Sequence, residues 1–358
     1  MAGVALLGSC RGDETGPRQR KLDQAVEILR KQDRDESPRV SHVHRSARVV
    51  LLVGLLCSTL VAGDSARAAE TSASRVTQLG VLGDARRFAR VTGQRSIVGH
   101  SFIGMHQPRT IGKLLERLRP VPMLAIKTGG IVSPLDIAEG RADAFLLELN
   151  RAVAAFGTRV YVRPMPEMNG TWNEYCAFNR DGSSRGPRYS TAAFRRAFAR
   201  IALLARGGSA RMVNAALRKL GEPGVTADLP VTQARMVWNP QGYGNPDIPA
   251  NSANAYYPGD AYVDVVANDL YDQQFKAAWD ANEALYASHP SKPYAIGEWG
   301  LWGIDDPPYV ERMAAFVRSH SRMEFLAYFS GKPGSIWDLS TKPRSRTAYR
   351  RVITPLGR

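Results

Sequence analysis

Eight times between residues 77 and 330 the chain alternates a short run rich in β-branched and aromatic residues with a longer segment of helical character. The runs are Thr77–Leu82, Ser96–Phe102, Pro122–Thr128, Arg159–Arg163, Arg235–Asn239, Tyr262–Tyr271, Pro293–Trp299 and Glu324–Ser330. Between them, in segments such as Ile111–Leu118, Pro134–Phe156 and Thr191–Ala205, apolar residues recur three and four positions apart. Strand and helix in strict alternation build a parallel sheet flanked by helices. Eight such units in one domain give the α/β class and a (β/α)8 TIM barrel. A doubly wound open sheet is the runner-up, but no Gly-x-Gly-x-x-Gly turn follows the first run. The longest interruption, Gly207–Gln233, reads as an excursion with its own helix at Met212–Leu220, and Trp238 reads as core.

A chain of 358 residues with 44% hydrophobic content can bury a sizeable core. The net charge of +15 raises the question of an acidic partner. The basic residues are scattered, however, and the densest group, Arg185 to Arg206, is broken by Ala and Phe at helical spacing. That distribution gives no nucleic-acid footprint. Arg45 and Arg48 precede an uncharged stretch, Val49–Gly63, which is followed by Ala66-Arg-Ala68. This is the order of a secretory signal, assigned to 46–68. The stretch is shorter than the roughly 20 apolar residues that span a bilayer, so no stable membrane insertion is expected. Residues 1–45 read as a non-native or disordered extension, with synthesis starting near Val40 or Val43. The expected product is a secreted or periplasmic monomer, residues 69–358, forming a single catalytic domain. Cys176 is its one remaining cysteine, so it has no internal disulfide.

In a barrel of this kind the loops after the strands carry the chemistry. Glu167 lies four residues past Arg163, after two prolines and before Asn169-Gly170; Glu298 ends the run Tyr294-Ala-Ile-Gly297. A carboxylate at the apolar end of a strand is costly unless it is partnered or used. Strands four and seven face each other across the barrel, so two carboxyls can flank one sugar. Hydrolysis of a β-glycoside with retention needs that pair, one as acid/base and one as nucleophile. Glu167 is expected as acid/base and Glu298 as nucleophile. Tyr271, ending Asn268-Asp-Leu-Tyr271, is expected to donate to Glu298, and Arg163 and Asn169 to hold the loop of the acid. Trp172, Trp299, Trp302 and Trp337 all follow strand ends, where flat rings can pack on pyranose faces. The histidines of the exported chain show no metal-ligand spacing, and neither an acyl-enzyme serine elbow nor a phosphate loop is present. No cofactor is expected.

The segment Arg163-Pro-Met-Pro-Glu167-Met-Asn169-Gly170-Thr-Trp172 resembles the acid/base segment of glycoside hydrolase family 26, Arg-Pro-x-His-Glu-x-Asn-Gly-x-Trp. His100 in Gly99-His100 is similar to that family's subsite histidine, Glu298 to its nucleophile, and Trp337 in Ser335-Ile-Trp337-Asp338 to a late tryptophan that floors a sugar site. The resemblance runs from about Gln78 to Asp338. It implies a clan A barrel, double displacement and a β-1,4-linked polysaccharide partner, most often mannan. The implied substrate-binding set is His100, Asn169, Trp172, Tyr271, Trp299, Trp302 and Trp337. Pro166 stands where the family has histidine, which leaves mannan, mixed-linkage β-glucan and xylan open. It also sustains the alternative of a catalytically impaired barrel that binds an exopolysaccharide.

Overall fold

The computed structural model describes residues 77–357. The extension 1–45, the signal run 46–68 and the cleavage position lie outside the described residues. Eight parallel strands follow one another around a closed barrel: β1 (Gln78–Leu82), β2 (Val98–Gly104), β3 (Val121–Lys127), β4 (Val160–Pro164), β5 (Ala234–Trp238), β6 (Val265–Asp272), β7 (Tyr294–Leu301) and β8 (Met323–Phe329). Each expected run overlaps one of these strands, with ends displaced by no more than three residues. Closure comes from β1 against β8, where Gly80 pairs with Ala327 and Leu82 with Phe329. The doubly wound alternative is thereby excluded, since an open sheet has two unpaired edge strands and this barrel has none.

The helices outside the barrel are α1 (Ala85–Thr92), α2 (Ile111–Arg117), α3 (Pro134–Ala138), α4 (Asp143–Phe156), α5 (Thr191–Arg206), α6 (Ala210–Lys219), α7 (Trp279–Ser288), α8 (Pro307–Ser319) and α9 (Pro343–Val352). The expected single helix Pro134–Phe156 is two. Ser133 caps α3 through a reciprocal bond with Asp136, and Gly140, at φ +83°, turns the chain in the left-handed region before α4 begins. The apolar spacing continues across the break, so periodicity alone does not reveal it. The excursion after α5 does carry its own helix, α6. Among the described residues no helix is long and apolar enough to cross a membrane.

Inside the barrel, side chains of alternate residues interdigitate. Val98, Met123, Tyr161, Val237, Val265 and Phe325 fill the lower layers. Higher up, the inward positions turn polar, with His100, Arg163, Asn239, Asp269 and Glu298 all buried. This switch from apolar floor to polar mouth places the chemistry at the C-terminal ends of the strands.

Strand β7 is irregular at the decisive place. Counting in twos from Ala295, which faces the interior, would turn Trp299 inward and Glu298 outward. The register instead slips between Asn268 and Asp269 on one side of β7 and between Ile296 and Trp299 on the other, so Glu298 comes opposite Asp269. The bulge reverses the faces and aims the carboxylate at the mouth. Gly297 is needed there: a Cβ would lie 2.1 Å from Asn239 Oδ1.

Candidate active site

Glu167 is presented by the turn after β4. Met165 (φ 45°) and Glu167 (φ 55°) both occupy the left-handed region, which non-glycine residues adopt only under constraint. The constraint is visible. Met165 N–H donates to Ile126 O at 2.8 Å, Glu167 N–H to Asn239 O at 2.7 Å, and Asn173 Nδ2 to Glu167 O at 2.8 Å. Tyr175 Oη donates to Pro166 O at 2.7 Å, pinning the residue that precedes Glu167. At the carboxylate, Trp172 Nε1 donates to Oε2 at 2.8 Å and Gln241 Nε2 to Oε1 at 2.5 Å. Gly170 makes room for the indole, because a Cβ there would lie 2.4 Å from the Trp172 ring.

Glu298 has different company. Arg163 Nη1 donates to its Oε1 at 2.6 Å and Tyr271 Oη to its Oε2 at 2.7 Å. The second arm of Arg163 bonds Asp269, and guanidinium and both carboxylates are buried. Burial works against the charge of Arg163, but Asp269 and Glu298 outweigh it and hold the guanidinium firmly protonated. Burial also pushes the Asp269 carboxyl well above the ordinary carboxylate range, against the pull of Arg163. The Tyr271 hydroxyl is raised well above the usual phenol range by burial and then by Glu298, so it remains a donor at any working pH.

His100 Nε2 lies 3.7 Å from Glu298 Oε1, too far for a hydrogen bond, and neither ring nitrogen has a partner. Burial, followed by the charge of Arg163, holds its pKa well below the ordinary histidine value. It is a neutral imidazole at the mouth with an unused donor and an unused acceptor, the complement of a sugar hydroxyl. On the other flank, the Tyr271 ring packs on Trp337 (centroids 4.9 Å apart) and on Trp302 (6.0 Å), while Trp302 and Trp337 meet at 4.4 Å. Trp172 is 44% exposed beside Glu167, an open ring face at the rim.

The structure thus brings together Arg163, Glu167, Trp172, Tyr271 and Glu298, with His100, Trp302 and Trp337 around them. Two expected sugar-binding residues are elsewhere. Trp299 is fully buried, stacked on Tyr349 of α9 at 5.6 Å and edge-on to Tyr328 at 5.0 Å, so it packs between barrel and helices. Asn169 is also fully buried. Its Nδ2 donates to Gln241 O and Tyr243 O, and its Oδ1 accepts from Gln241 N–H. It fastens the turn after β4 to the turn after β5 and offers nothing to a ligand. Two participants escaped the sequence reading. Asp269 lies two positions before Tyr271 on β6, a spacing that puts both on one face, and that signal was available. Gln241 lies three residues past β5, with no sequence signal of its own.

No family model matches the chain. Solved structures do resemble it. A mannanase from Bacillus subtilis superposes with a TM-score of 0.52 at 16% identity, over 78% of this chain and 86% of that one. The catalytic domain of a family 26 endo-β-1,4-mannanase from Bacillus sp. JAMB-750 does so with a TM-score of 0.51 at 13% identity, over 79% and 87% of the two chains. The fold is that of the family 26 barrels. Among curated proteins, Endoglucanase H of Acetivibrio thermocellus is 22% identical over 292 residues, which is 75% of this chain and 28% of that protein's length. The likeness in fold runs over more than three quarters of the chain, and the similar proteins are mannanases and an endoglucanase by name.

Proposed function

We propose that this chain is a retaining, endo-acting β-glycanase that cleaves a β-1,4-linked polysaccharide by double displacement, with no cofactor. The observation that carries the reading is the contrast between two carboxylates at one barrel mouth. Glu298 accepts from the Arg163 guanidinium and the Tyr271 phenol, which hold its carboxyl in place at the mouth, and it takes the role of nucleophile. Glu167 accepts only from neutral N–H groups, an indole and an amide, and takes the role of acid/base.

In the first step the Glu298 carboxylate attacks the anomeric carbon. The glycosidic C–O bond breaks, its electron pair leaves with the departing oxygen, and Glu167 delivers the proton that oxygen takes up. In the second, Glu167 removes a proton from water, the water oxygen replaces Glu298 at the anomeric carbon, and the carboxylate is restored with net retention. Neutral His100 and the Trp172, Trp302 and Trp337 rings supply hydrogen bonds and stacking surface for the sugars. Mannan and mixed-linkage β-glucan are the first substrates to test, by analogy with a mannanase fold and an endoglucanase relative. Export from the cell and a monomeric state belong to the same proposal.

Reducing-end release from mannan, mixed-linkage β-glucan, xylan and an acidic exopolysaccharide tests it. Wild type should act on at least one. Glu298→Ala and Glu167→Ala should lower turnover at least 1,000-fold with the far-ultraviolet spectrum unchanged, a loss in keeping with removal of a group essential to the chemistry (roughly 4 kcal/mol). Turnover surviving either substitution would remove the assignment. The impaired-binder alternative would instead give glycan binding with no reducing ends from wild type.

A further inference from the structure

The inner face of β3 carries Val121 and Met123 in the barrel interior, and the two-residue period brings Lys127 onto the same face at the mouth. Lys127 is half-buried there. Its Nζ donates to Asn173 Oδ1 at 2.7 Å and lies 5.7 Å from the Phe102 ring and 5.8 Å from the Tyr175 ring. Asn173 is the residue whose amide also holds the Glu167 carbonyl, so this ammonium sits one side chain from the backbone of the acid. The other charges that structure the mouth, Arg163, Asp269 and Glu298, are paired among themselves. Lys127 makes no ion pair with any carboxylate among the described residues, although Glu174 is close enough to bond Thr128 and Gly129 next to it. In the strand register Lys127 lies opposite Gly104, where a Cβ would meet the exposed His106 ring at 2.4 Å. The His106 ring therefore lies over this corner.

A half-buried ammonium between two aromatic rings, with one N–H of three committed to protein, is costly to place without an anion to meet it. Asp269 and Glu298 are already met by Arg163, which leaves Lys127 to meet a charge from outside the protein. From this we infer that Lys127 receives a carboxylate borne by the bound polysaccharide, so that the substrate class is a β-glycan carrying uronic acid units. A carboxylate fits better than a phosphomonoester, because one compact ammonium neutralises one negative charge, whereas a dianionic group draws arginine forks. The inference rests on the glycanase reading and narrows its substrate.

The test uses the full chain and one glucuronic-acid-bearing β-glycan in two forms, native and carboxyl-reduced, which differ in that charge alone. Wild type should show a KM for the native form about tenfold below that for the reduced form, a ratio that shrinks in 0.5 M salt as screening requires. K127M should bring the ratio to about one, and K127R should keep most of it. A ratio near one in wild type, or a ratio unchanged in K127M, would overturn the inference. A purely structural role for Lys127 would raise both KM values together and leave the ratio intact. If wild type hydrolyses neither form, the glycanase reading fails on its own. Calorimetric binding of the two forms to wild type and K127M then decides the inference by the same ratio.

Discussion

Tyr271→Phe removes one oxygen atom from the site and leaves the rest of the ring where it packs, against Trp302, Phe329 and Trp337. The lost contact is the 2.7 Å bond to Glu298 Oε2, made inside a buried cluster where that oxygen has no other donor. A hydrogen bond to a charged group contributes about 1.5 to 3 kcal/mol. At about 1.4 kcal/mol per factor of ten, kcat/KM should fall about 10- to 150-fold. Values of kcat/KM for wild type and Tyr271→Phe on the best polysaccharide measure the loss, and thermal melts check that the fold is retained. An unchanged kcat/KM would refute the role given to this bond.

Further outcomes follow from other parts of the molecule. Trp299→Ala should destabilise by about 3 to 5 kcal/mol in urea unfolding, as expected for a large ring buried between barrel and helices. Trp302→Ala should instead raise KM on long glycans and shift the unfolding midpoint little; the reverse pattern would return Trp299 to the site. Asp272, at the end of β6, is pushed up to about 7 by burial and by the neighbouring Asp306 carboxyl. A carboxyl whose folded pKa is raised stabilises below its unfolded value, near 4, and that stability is lost as the pH climbs through about 7. Asp272→Asn should therefore raise the melting temperature at pH 8 and change it little at pH 4. Equal shifts at both pH values would show that this carboxyl does not titrate with folding.

The barrel was legible because its signal is repeated. Eight apolar runs bounded by Gly, Pro and polar turns locate eight strands to within three residues, and eight is the number that closes. Glu298 stood out because it lies at the end of such a run, and Glu167 because it follows one by four residues. What was lost is mostly orientation. Glu298 and Trp299 are neighbours on one strand, and neighbours face opposite sides, so they could not both line the mouth. Which of them did was decided by a bulge in β7 that the sequence does not announce beyond Gly297. Asn169 was read both as a loop tie and as a sugar contact, because a polar residue two positions from Glu167 suits either, and only the tie is seen. The choice depended on where Gln241 and Tyr243 lie, 72 and 74 residues away in the chain. The left-handed backbone at Met165 and Glu167 was also invisible, since non-glycine residues reach that region only when tertiary bonds impose it.

The central claim, that Glu298 attacks the sugar while Glu167 manages the proton, is tested most directly by the stereochemistry of the first product. Proton NMR of the newly formed reducing end, recorded in the first minutes of hydrolysis of a β-1,4-glycan, reports its anomeric configuration before mutarotation. Double displacement predicts that the β anomer appears first and the α anomer grows in later. An α anomer appearing first would mean a single displacement by water, and would contradict the assignment of Glu298 as nucleophile.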